Sequence, residues 1–449
     1  FEDVMNIIDL EKPDGVLVQF GGQTPLNIAK KLLDAGAPIL GTSPHAIDLA
    51  ENREKFGLIL DRLNIPKPEY GTAFSTDEAK EVAKRIGYPV LVRPSYVLGG
   101  RAMEIVYDDK HLINYVQRAA DISPEHPILV DAFLEDAFEF DVDAICDGSE
   151  VYIAGVMQHI EEAGIHSGDS SCVLPPYWLS KECLEKIENY TRQLSIEVGV
   201  KGLVNIQFAE KNGVVYVIEV NPRASRTVPF VSKATNVPLA QIATGIALGK
   251  KLKDYNLKKW STNKHIAVKK PVFPFNKFPN ENIFLGPEMK STGEVMGIAP
   301  EFGDAFSKAI MGDGNQLPIK GKAFISVNDF DKPKLIPIAK DLLNIGFKII
   351  ATKGTAEFLK KENLTVDTIY KVGEGRPNTL DGIKNKEISL VINTPLGAQS
   401  RFDENSIGIA AIQSRIPVLT TLSAAQALIK AIKSTNKNQV RTIQEIHNA

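Results

Sequence analysis

The sequence predicts a multidomain protein of mixed α/β and α+β class. Three observations support this prediction: the length, the alternation of short apolar strands with helical segments, and a pair of strands joined by a hairpin signal. A chain of 449 residues is too long for one compact core, so two to four domains are expected. The 43% hydrophobic and 24% charged residues are ordinary for a globular protein.

Charge and hydropathy argue against several classes of function. The net charge of −3 disfavours nucleic acid or an anionic membrane as the main partner. No apolar run approaches the ~20 residues that a membrane-spanning helix requires. The three cysteines, Cys146, Cys172 and Cys183, lack metal-ligand spacing and cannot all pair, which favours the reducing cytoplasm.

The first fifty residues have an α/β pattern. Helical spacing over residues 1–10 precedes a buried strand over 15–20, a Gly21-Gly22-Gln23 turn and a helix over 26–35. The two glycines would let backbone amides approach an anion at a helix N-terminus, and a tight βα turn without a ligand fits equally well. The chain opens with a helical segment at Phe1 and no strand, as expected for a piece of a longer protein.

The next stretch contains a long charged helix, predicted over 48–63, and a strand that ends at Arg93. The small-residue loop after Arg93 suits a flap over phosphates, and a solvated hairpin fits it as well. Glu139 lies in a later strand, where its carboxylate could accept two ribose hydroxyls or could be merely exposed. The polar stretch 159–171 around His166 is long for a loop without a function.

The most informative stretch is Val217-Ile-Glu-Val-Asn-Pro-Arg-Ala-Ser-Arg-Thr227. Glu219 and Asn221 are two positions apart, so on a strand both side chains leave the same face. Their oxygens are hard ligands for Mg²⁺ or Mn²⁺, and Arg223 and Arg226 can hold phosphate oxygens. The pattern predicts a nucleotide-phosphate site, with a charged edge strand as the alternative of equal weight.

A hairpin is predicted at Lys211-Asn212-Gly213, between two apolar strands. A three-residue loop over 212–214 would set Gln207 opposite Glu219, whereas a two-residue turn would shift the register by one position. A metal site that combines Gln207 with Glu219 and Asn221 therefore predicts the longer, bulged loop.

The last third repeats the α/β alternation after a glycine-rich linker over 312–321. The predicted strands cover 323–327, 347–351, 390–393 and 417–420, and the predicted helices cover 334–343, 355–362 and 424–433. This order predicts a parallel sheet with ligands at the carboxyl ends of the strands. Thr352-Lys353-Gly354-Thr355 at one such end, with Lys371, could hold a small anion, and a plain βα turn fits equally.

Two long motifs carry a resemblance to a known family. They are Val92-Arg-Pro-Ser-Tyr-Val-Leu-Gly-Gly-Arg-Ala-Met-Glu-Ile-Val106 and Glu219-Val-Asn-Pro-Arg-Ala-Ser-Arg-Thr-Val-Pro-Phe-Val-Ser-Lys-Ala-Thr235. Over essentially its whole length the chain resembles the carboxyl-terminal half of large subunits of the carbamoyl phosphate synthetase family. The resemblance implies a pre-ATP-grasp domain lacking its first strand (1–49), an ATP-grasp domain (50–270), a helical or linker extension (271–318) and a methylglyoxal-synthase-like regulatory domain (319–449).

The resemblance also implies the ligands of the site. The residues implied to bind ATP are Arg53, Arg93, Gly99, Gly100, Asp131, Phe133, Leu134, Glu139, Gly164, Ile165, His166 and Ser167. Gln207, Glu219 and Asn221 are implied to hold Mg²⁺ or Mn²⁺, two ions per site, and K⁺ is a further implied ion. Arg223 and Arg226 are implied to act catalytically, on the transferring phosphate or the carbamate.

The implied reaction is attack of carbamate on the γ-phosphoryl group of ATP, giving carbamoyl phosphate and ADP for pyrimidine and arginine synthesis. The implied partners are the amino-terminal synthetase half and a small glutaminase subunit. Two other interpretations remain open: a nucleotide-binding regulatory module without turnover, or another ATP-grasp ligase such as a biotin carboxylase.

The regulatory domain is implied to bind a nucleotide effector such as UMP or IMP. The matching residues are Ser326, Lys332, Thr352, Thr355, Lys371 and Asn393. The chain departs from the family pattern at Pro395, where a threonine is common. Glu161 and Asp169 match contacts for ornithine, but Lys270 stands where ornithine-responsive members carry an acidic residue.

Overall fold

The computed structural model describes residues 1–94, 103–122, 127–262, 265–275, 277–278, 283, 285–394, 398–434 and 440–448. The chain forms two compact units. The first contains Phe1–His159, Val173–Lys264 and Arg441–Ala449, and the second contains Ile160–Cys172 and His265–Val440. Within the described ranges, no helix combines the length and the apolar character needed to cross a membrane.

The first unit begins with two short parallel strands flanked by helices. Its first elements are α1 (Glu2–Glu11), β1 (Val16–Leu17), α2 (Gln23–Asp34), β2 (Ile39–Leu40), α3 (Pro44–Glu51) and α4 (Arg53–Arg62). The single helix predicted over 48–63 is wrong. Asn52 has an extended backbone and caps α4 by accepting the backbone N–H of Lys55 at 3.1 Å. The cap makes Arg53 the first residue of a new helix.

A four-stranded antiparallel sheet follows, in the order β3-β6-β4-β5. Its region contains β3 (Tyr70–Ala73), α5 (Thr76–Ile86), β4 (Val90–Pro94), β5 (Glu104–Val106), α6 (Asp109–Ile122) and β6 (Ile128–Ala132). Val90 and Val92 are buried in the core of this sheet. Because successive side chains of a strand alternate, Arg93 leaves β4 on the opposite face.

The main sheet of the first unit is antiparallel, with strand order β11-β10-β7-β8. This region contains β7 (Phe138–Asp147), β8 (Val151–His159), β9 (Cys172–Leu174), α7 (Lys181–Val198), β10 (Lys201–Lys211), β11 (Val214–Asn221), α8 (Thr227–Thr235) and α9 (Leu239–Ala247). Phe140, Val142, Val204, Ile206 and Phe208 form part of a core on one face. The alternate residues of the same strands make the other face polar.

The turn between β10 and β11 is shorter than the sequence predicted. Lys211 pairs with Val214, so Asn212 and Gly213 alone form the turn, with φ of 54° and 81°. Positive φ at both positions gives the twist that suits a two-residue hairpin. The prediction of a three-residue loop is therefore wrong.

A β-bulge in β11 corrects the register that this short turn would impose. Phe208 pairs with Val217, but the next pair joins Gln207 to Glu219, so Ile218 is an extra residue. The extra residue returns Glu219 to the polar face, opposite Gln207. Gln207 therefore lies opposite Glu219, as the predicted metal site requires. A β-bulge produces this pairing, and not the longer turn that the sequence predicted.

The second unit contains an antiparallel strand pair and a five-stranded parallel sheet in the order β16-β15-β14-β17-β18. Its elements are β12 (Ile266–Val272), β13 (Gly293–Ala299), α10 (Phe302–Gly312), β14 (Gly321–Val327), α11 (Lys332–Asn344), β15 (Phe347–Thr352), α12 (Lys353–Lys361), β16 (Val366–Ile369), α13 (Thr379–Lys384), β17 (Ile388–Thr394), α14 (Ala398–Gln413), β18 (Val418–Leu419) and α15 (Leu422–Ser434). The predicted parallel sheet is confirmed. The sequence-based prediction missed β16, α13 and α14, and the stretch 271–318 contains strand β13 besides helix α10. A last helix, α16 (Ile443–His447), belongs to the first unit.

Candidate active site

The polar face of the main sheet brings the three predicted metal ligands together. Gln207 pairs with Glu219 and Asn205 pairs with Asn221 across β10 and β11. Directly opposed residues have Cβ atoms about 5 Å apart, so these side chains share a small area. Nδ2 of Asn221 donates to Oε1 of Glu219 at 2.8 Å. One carboxylate and two carboxamides offer the oxygen ligands that Mg²⁺ prefers.

The two predicted catalytic arginines follow the end of β11. Arg223 is half-buried, and its Nη2 donates to Oδ1 of Asn221 at 3.3 Å. Its Nε donates to Oε1 of Gln23 at 3.3 Å. Arg226 is exposed and directly precedes the first turn of α8. The positive end of that helix and the two guanidiniums make this edge of the polar face suitable for anions.

Arg53 and Arg93 meet at one buried carboxylate. Nη2 of Arg53 donates to Oδ1 of Asp131, and Nε of Arg93 lies 3.5 Å from Oδ2. The Asp131 side chain is 6% exposed, whereas the arginines are 28% and 27% exposed. Asp131 therefore holds two guanidiniums side by side while they remain open to an anion. Gly99 and Gly100 of the predicted phosphate flap lie outside the described residues.

The predicted ATP-binding residues Phe133, Leu134 and Glu139 lie at the junction of β6 and β7. Phe133 and Leu134 directly follow β6 and are half-buried. Glu139 begins the polar series of β7, with Oε2 3.3 Å from Nδ1 of His159. Nε2 of the same histidine lies 2.9 Å from Oδ2 of Asp141. The imidazole thus lies between the two carboxylates, and the lone pairs of the Glu139 carboxylate suit hydroxyl donors.

Sequence reasoning missed two acidic residues of this face, Asp141 and Asp143. Asp143 is buried and accepts hydrogen bonds from Oγ1 of Thr227 at 2.6 Å, Oγ of Ser225 at 2.7 Å and Nδ2 of Asn205 at 3.0 Å. Burial raises the pKa of Asp143 to about 6, and the three hydrogen bonds partly offset this rise. The alternation of acidic and apolar residues along β7 is the signal that could have found both carboxylates.

The remaining predicted ATP-binding residues, 164–167, belong to the second unit. Nδ1 of His166 accepts the backbone N–H of Gly168 at 3.0 Å. The carbonyl oxygen of Ser167 accepts from Nζ of the buried Lys269 at 3.1 Å. The loop is therefore held by hydrogen bonds within its own unit.

Four of the predicted effector-binding residues meet at the carboxyl ends of β14, β15 and β17. Ser326 pairs with Asn393, and Oγ1 of Thr352 donates to Oγ of Ser326 at 3.3 Å. Oγ1 of Thr355 accepts the backbone N–H of Val327 at 3.3 Å. Oδ1 of Asn393 is buried and has no hydrogen-bond partner among the residues that the structure describes. A buried acceptor of this kind is a place where the polar group of a ligand fits.

The two predicted effector-binding lysines differ in position. Lys332 opens α11, and its Nζ lies 2.5 Å from Oδ1 of Asp329. A Cβ added at Gly354, in the first turn of α12, would lie 3.7 Å from that Nζ, so Lys332 borders the strand ends. Lys371 is exposed in the segment after β16, at the same carboxyl edge of the sheet. Pro395 lies outside the part of the chain described.

The residues that match ornithine contacts are bonded within the second unit. Glu161 accepts the backbone N–H and the hydroxyl of Ser171, at 2.5 Å and 3.0 Å. Asp169 accepts two backbone N–H groups at 2.8 Å each. Nζ of Lys270 pairs with the buried carboxylate of Asp313. Burial raises the pKa of Glu161, and the nearby cation of Lys270 acts in the opposite direction.

Comparison with known proteins places the chain among the relatives that these motifs suggested. Three family models match: the carbamoyl phosphate synthase preATP-grasp domain over residues 1–49, the ATP binding domain of the carbamoyl-phosphate synthase L chain over 52–255, and the MGS-like domain over 334–420. The chain is 56% identical to the carbamoyl phosphate synthase large chain of Archaeoglobus fulgidus and 54% identical to that of Acidobacterium capsulatum. Each alignment covers 99% of this chain and 42% of the relative, so the chain spans about two fifths of their length.

Solved structures with a similar fold include biotin carboxylases. The biotin carboxylase–β,γ-ATP complex from Campylobacter jejuni has a TM-score of 0.57 at 16% identity, over 69% of this chain and 77% of that chain. The biotin carboxylase domain of Hydrogenobacter thermophilus 2-oxoglutarate carboxylase, in complex with MgADP, ADP and bicarbonate, has a TM-score of 0.58 at 18% identity, over 69% and 76%. At these identities the likeness shows a shared fold.

Proposed function

The chain belongs to the family of carbamoyl phosphate synthase large chains, and we propose that it phosphorylates carbamate with ATP, giving carbamoyl phosphate and ADP. The observation that carries this proposal is the connected row on the polar face, where Glu219 contacts Asn221 and Asn221 contacts Arg223. Gln207 lies directly opposite Glu219. Phosphoryl transfer needs positioned charge more than covalent chemistry, and this row places one carboxylate and two carboxamide ligands beside a guanidinium cation.

We propose that Gln207, Glu219 and Asn221 hold the divalent ions. The oxygen donors fit Mg²⁺, with Mn²⁺ as a substitute, and the family pattern suggests two ions per site and a separate K⁺. When bound, the divalent ions neutralise phosphate oxygens. The presence of MgADP in the Hydrogenobacter thermophilus relative supports Mg²⁺ with a nucleotide here.

The proposed roles of the other residues follow from charge and position. Arg53 and Arg93, oriented by Asp131, bind the ATP phosphates. Glu139 accepts the ribose hydroxyls, while the segment 131–134 lines the adenine. Arg223 and Arg226 stabilise the transferred phosphoryl group and the carbamate. Carbamate is already an anion, so the reaction requires no general base, and none is assigned to His166.

We propose the domain boundaries 1–49, 50–270, 271–318 and 319–449 for these functions. The last domain would bind UMP or IMP at the carboxyl ends of its strands, where Asn393 offers a buried acceptor. Because Lys270 stands where ornithine-responsive members carry an acidic residue, and pairs with Asp313, we propose a nucleotide as the effector. In the cytoplasm, an amino-terminal synthetase half and a small glutaminase subunit would supply the carbamate.

The experiment that tests this function is ATP formation from carbamoyl phosphate and MgADP by the purified chain, with and without UMP. This reverse reaction needs no other subunit. ATP formation supports the proposal, and a changed rate with UMP supports the proposed effector site. A folded chain that binds MgADP but forms no ATP favours a regulatory module without turnover, and biotin-dependent ATP cleavage with bicarbonate favours another ATP-grasp ligase.

A further inference from the structure

Gln19 is a buried carboxamide that connects the first α/β layer to the end of β11. Its side chain is 2% exposed. Nε2 donates to Oγ1 of Thr42 at 2.8 Å, to the carbonyl oxygen of Pro222 at 2.8 Å and, more weakly, to that of Leu203 at 3.3 Å. The backbone carbonyl of Gln19 accepts the N–H of Ala224 at 2.9 Å. Gln19 therefore bonds the main chain on both sides of Arg223.

Two glycines make the space that this carboxamide occupies. A Cβ added at Gly41 would lie 2.5 Å from Oε1 of Gln19, and one added at Gly202 would lie 2.6 Å from the same atom. Both glycines have positive φ, 86° and 115°, which residues with a side chain rarely adopt. The backbone at Gly41 and the backbone at Gly202 therefore both leave room for the side chain of Gln19, which fixes the position of its carboxamide.

A second glutamine of the same segment contacts the arginine itself. Oε1 of Gln23 accepts Nε of Arg223 at 3.3 Å, and Nε2 of Gln23 donates to Oε1 of Glu51 at 2.6 Å. The guanidinium of Arg223 therefore lies between Gln23 and Oδ1 of Asn221. From the sequence, the Gly21-Gly22-Gln23 turn could be an anion site or a plain βα turn. In the structure its last residue, Gln23, orients the guanidinium of Arg223.

We propose that Gln19 is a positioning residue for phosphoryl transfer, because it fixes the turn that carries Asn221 and Arg223. This inference rests on the proposed function. A displacement of about 1 Å in groups that position a reaction can lower its rate about 10²-fold. Loss of the side-chain bond to the carbonyl of Pro222 would loosen the turn that carries both Asn221, a proposed metal ligand, and Arg223, which is proposed to contact the transferred group.

The test compares Gln19→Leu with a matched control, Gln158→Leu, in ATP formation from carbamoyl phosphate and MgADP. Gln158 is also a buried carboxamide, and its Oε1 accepts the backbone N–H groups of Tyr177 and Trp178 at 2.9 Å each. Both variants should unfold at lower urea concentration. Only Gln19→Leu should lower kcat, about 10²-fold, with KM for MgADP unchanged within about twofold, because the nucleotide contacts lie elsewhere.

A conservative variant separates positioning from stability. In Gln19→Glu, a protonated carboxyl group can donate to the carbonyl of Pro222, whereas the carboxylate cannot. Its kcat relative to wild type should therefore rise as pH falls from 8 to 5.5, and that of Gln19→Leu should stay constant. If the kcat of Gln19→Glu relative to wild type does not change over this pH range, the hydrogen bond donated to Pro222 has no role in positioning.

Absence of ATP formation by the wild-type chain would overturn the proposed function but not the role of Gln19 in holding the turn. Amide hydrogen exchange tests that role without any activity. The peptide covering residues 217–226 should exchange faster in Gln19→Leu than in wild type or Gln158→Leu. The variant keeps the backbone carbonyl that accepts the N–H of Ala224, but it loses the side-chain bond to the carbonyl of Pro222, so the turn should open more often. With an active wild type, normal kcat in Gln19→Leu overturns the inference. With an inactive wild type, unchanged exchange of this peptide overturns it and faster exchange supports it.

Discussion

Asp143 is fully buried and bonded to three side chains, so its protonation affects the stability of the first unit. Burial raises its pKa from 3.8 to about 6. Between these two values the folded state holds a proton that the unfolded chain has released. Stability from this group is therefore present at the acidic end of the window and declines as pH rises toward 6 and above.

Asp143→Asn should remove this dependence. Between pH 5 and 7.5, the free energy of unfolding of wild type should fall by about 1–2 kcal/mol relative to the variant. Both tryptophans, Trp178 and Trp260, lie in the first unit, so their fluorescence in urea reports the relevant transition. Parallel pH dependence of the two proteins would show that Asp143 does not titrate in this window.

Spacing in the sequence revealed some site residues and concealed others. Glu219, Asn221 and Arg223 could be placed together because they lie within five positions of one strand end. Asp131 joins Arg53 across 78 positions, and no local pattern links the two. Such contacts depend on how strands are ordered in a sheet, which residue spacing does not specify.

At the scale of single elements, the break between α3 and α4 positions Arg53. Asn52→Ala removes the cap of α4 and should lower the free energy of unfolding by about 1 kcal/mol. Because Arg53 is the first residue of α4, the variant should also raise KM for MgADP in the ATP-forming assay.

Ser75→Ala is the matched control for this cap. Ser75 caps α5 by accepting the backbone N–H of Glu78 at 3.2 Å, and α5 carries none of the proposed ligands. It should lose similar stability with KM unchanged. Equal KM in Asn52→Ala and wild type would show that the cap does not orient Arg53.

The β-bulge at Ile218, and not the turn, should set the register that places Gln207 opposite Glu219. Insertion of one glycine after Gly213 lengthens the turn by one residue, which should cost only a few tenths of a kcal/mol in loop entropy. ATP formation should then stay within about twofold of wild type, because the bulge and the apolar face still fix Gln207 opposite Glu219. Complete loss of activity in a folded insertion variant would assign the register to the turn.

The hairpin shows which parts of an element a sequence specifies. Asn212-Gly213 marked the turn, because both residues tolerate positive φ. Ile218 gave no sign of the bulge, since it is β-branched like Val217 before it and fits an apolar strand. The register was set by burial of one face, a property of the folded sheet.

At the scale of the whole molecule, alternation of strands and helices predicted the fold class and the parallel sheet of the second unit. It failed for β16, in which the buried residues Val366 and Ile369 enclose two exposed ones, so that period-2 alternation is lacking. It failed also for α14, whose apolar residues lie mainly in its second half. Short or unevenly apolar elements acquire their structure from packing that local pattern does not record.

The central claim is that a chain spanning 42% of the length of its relatives contains a complete phosphoryl-transfer site. Glu219 is the only carboxylate among the three proposed metal ligands. It is exposed, so replacing it should leave the fold intact. Glu210, near the turn of the same hairpin, bonds the N–H of Gly213 at 2.6 Å and serves as the control carboxylate.

The most direct measurement is ATP formation from carbamoyl phosphate and ADP by wild type, Glu219→Gln and Glu210→Gln across a range of Mg²⁺ concentrations. We expect Glu210→Gln to match wild type. Glu219→Gln should be at least about 10²-fold slower even at saturating Mg²⁺, because the charge that positions the ions is lost. Near-normal activity of Glu219→Gln at saturating Mg²⁺ would contradict the assignment of this row as the metal site.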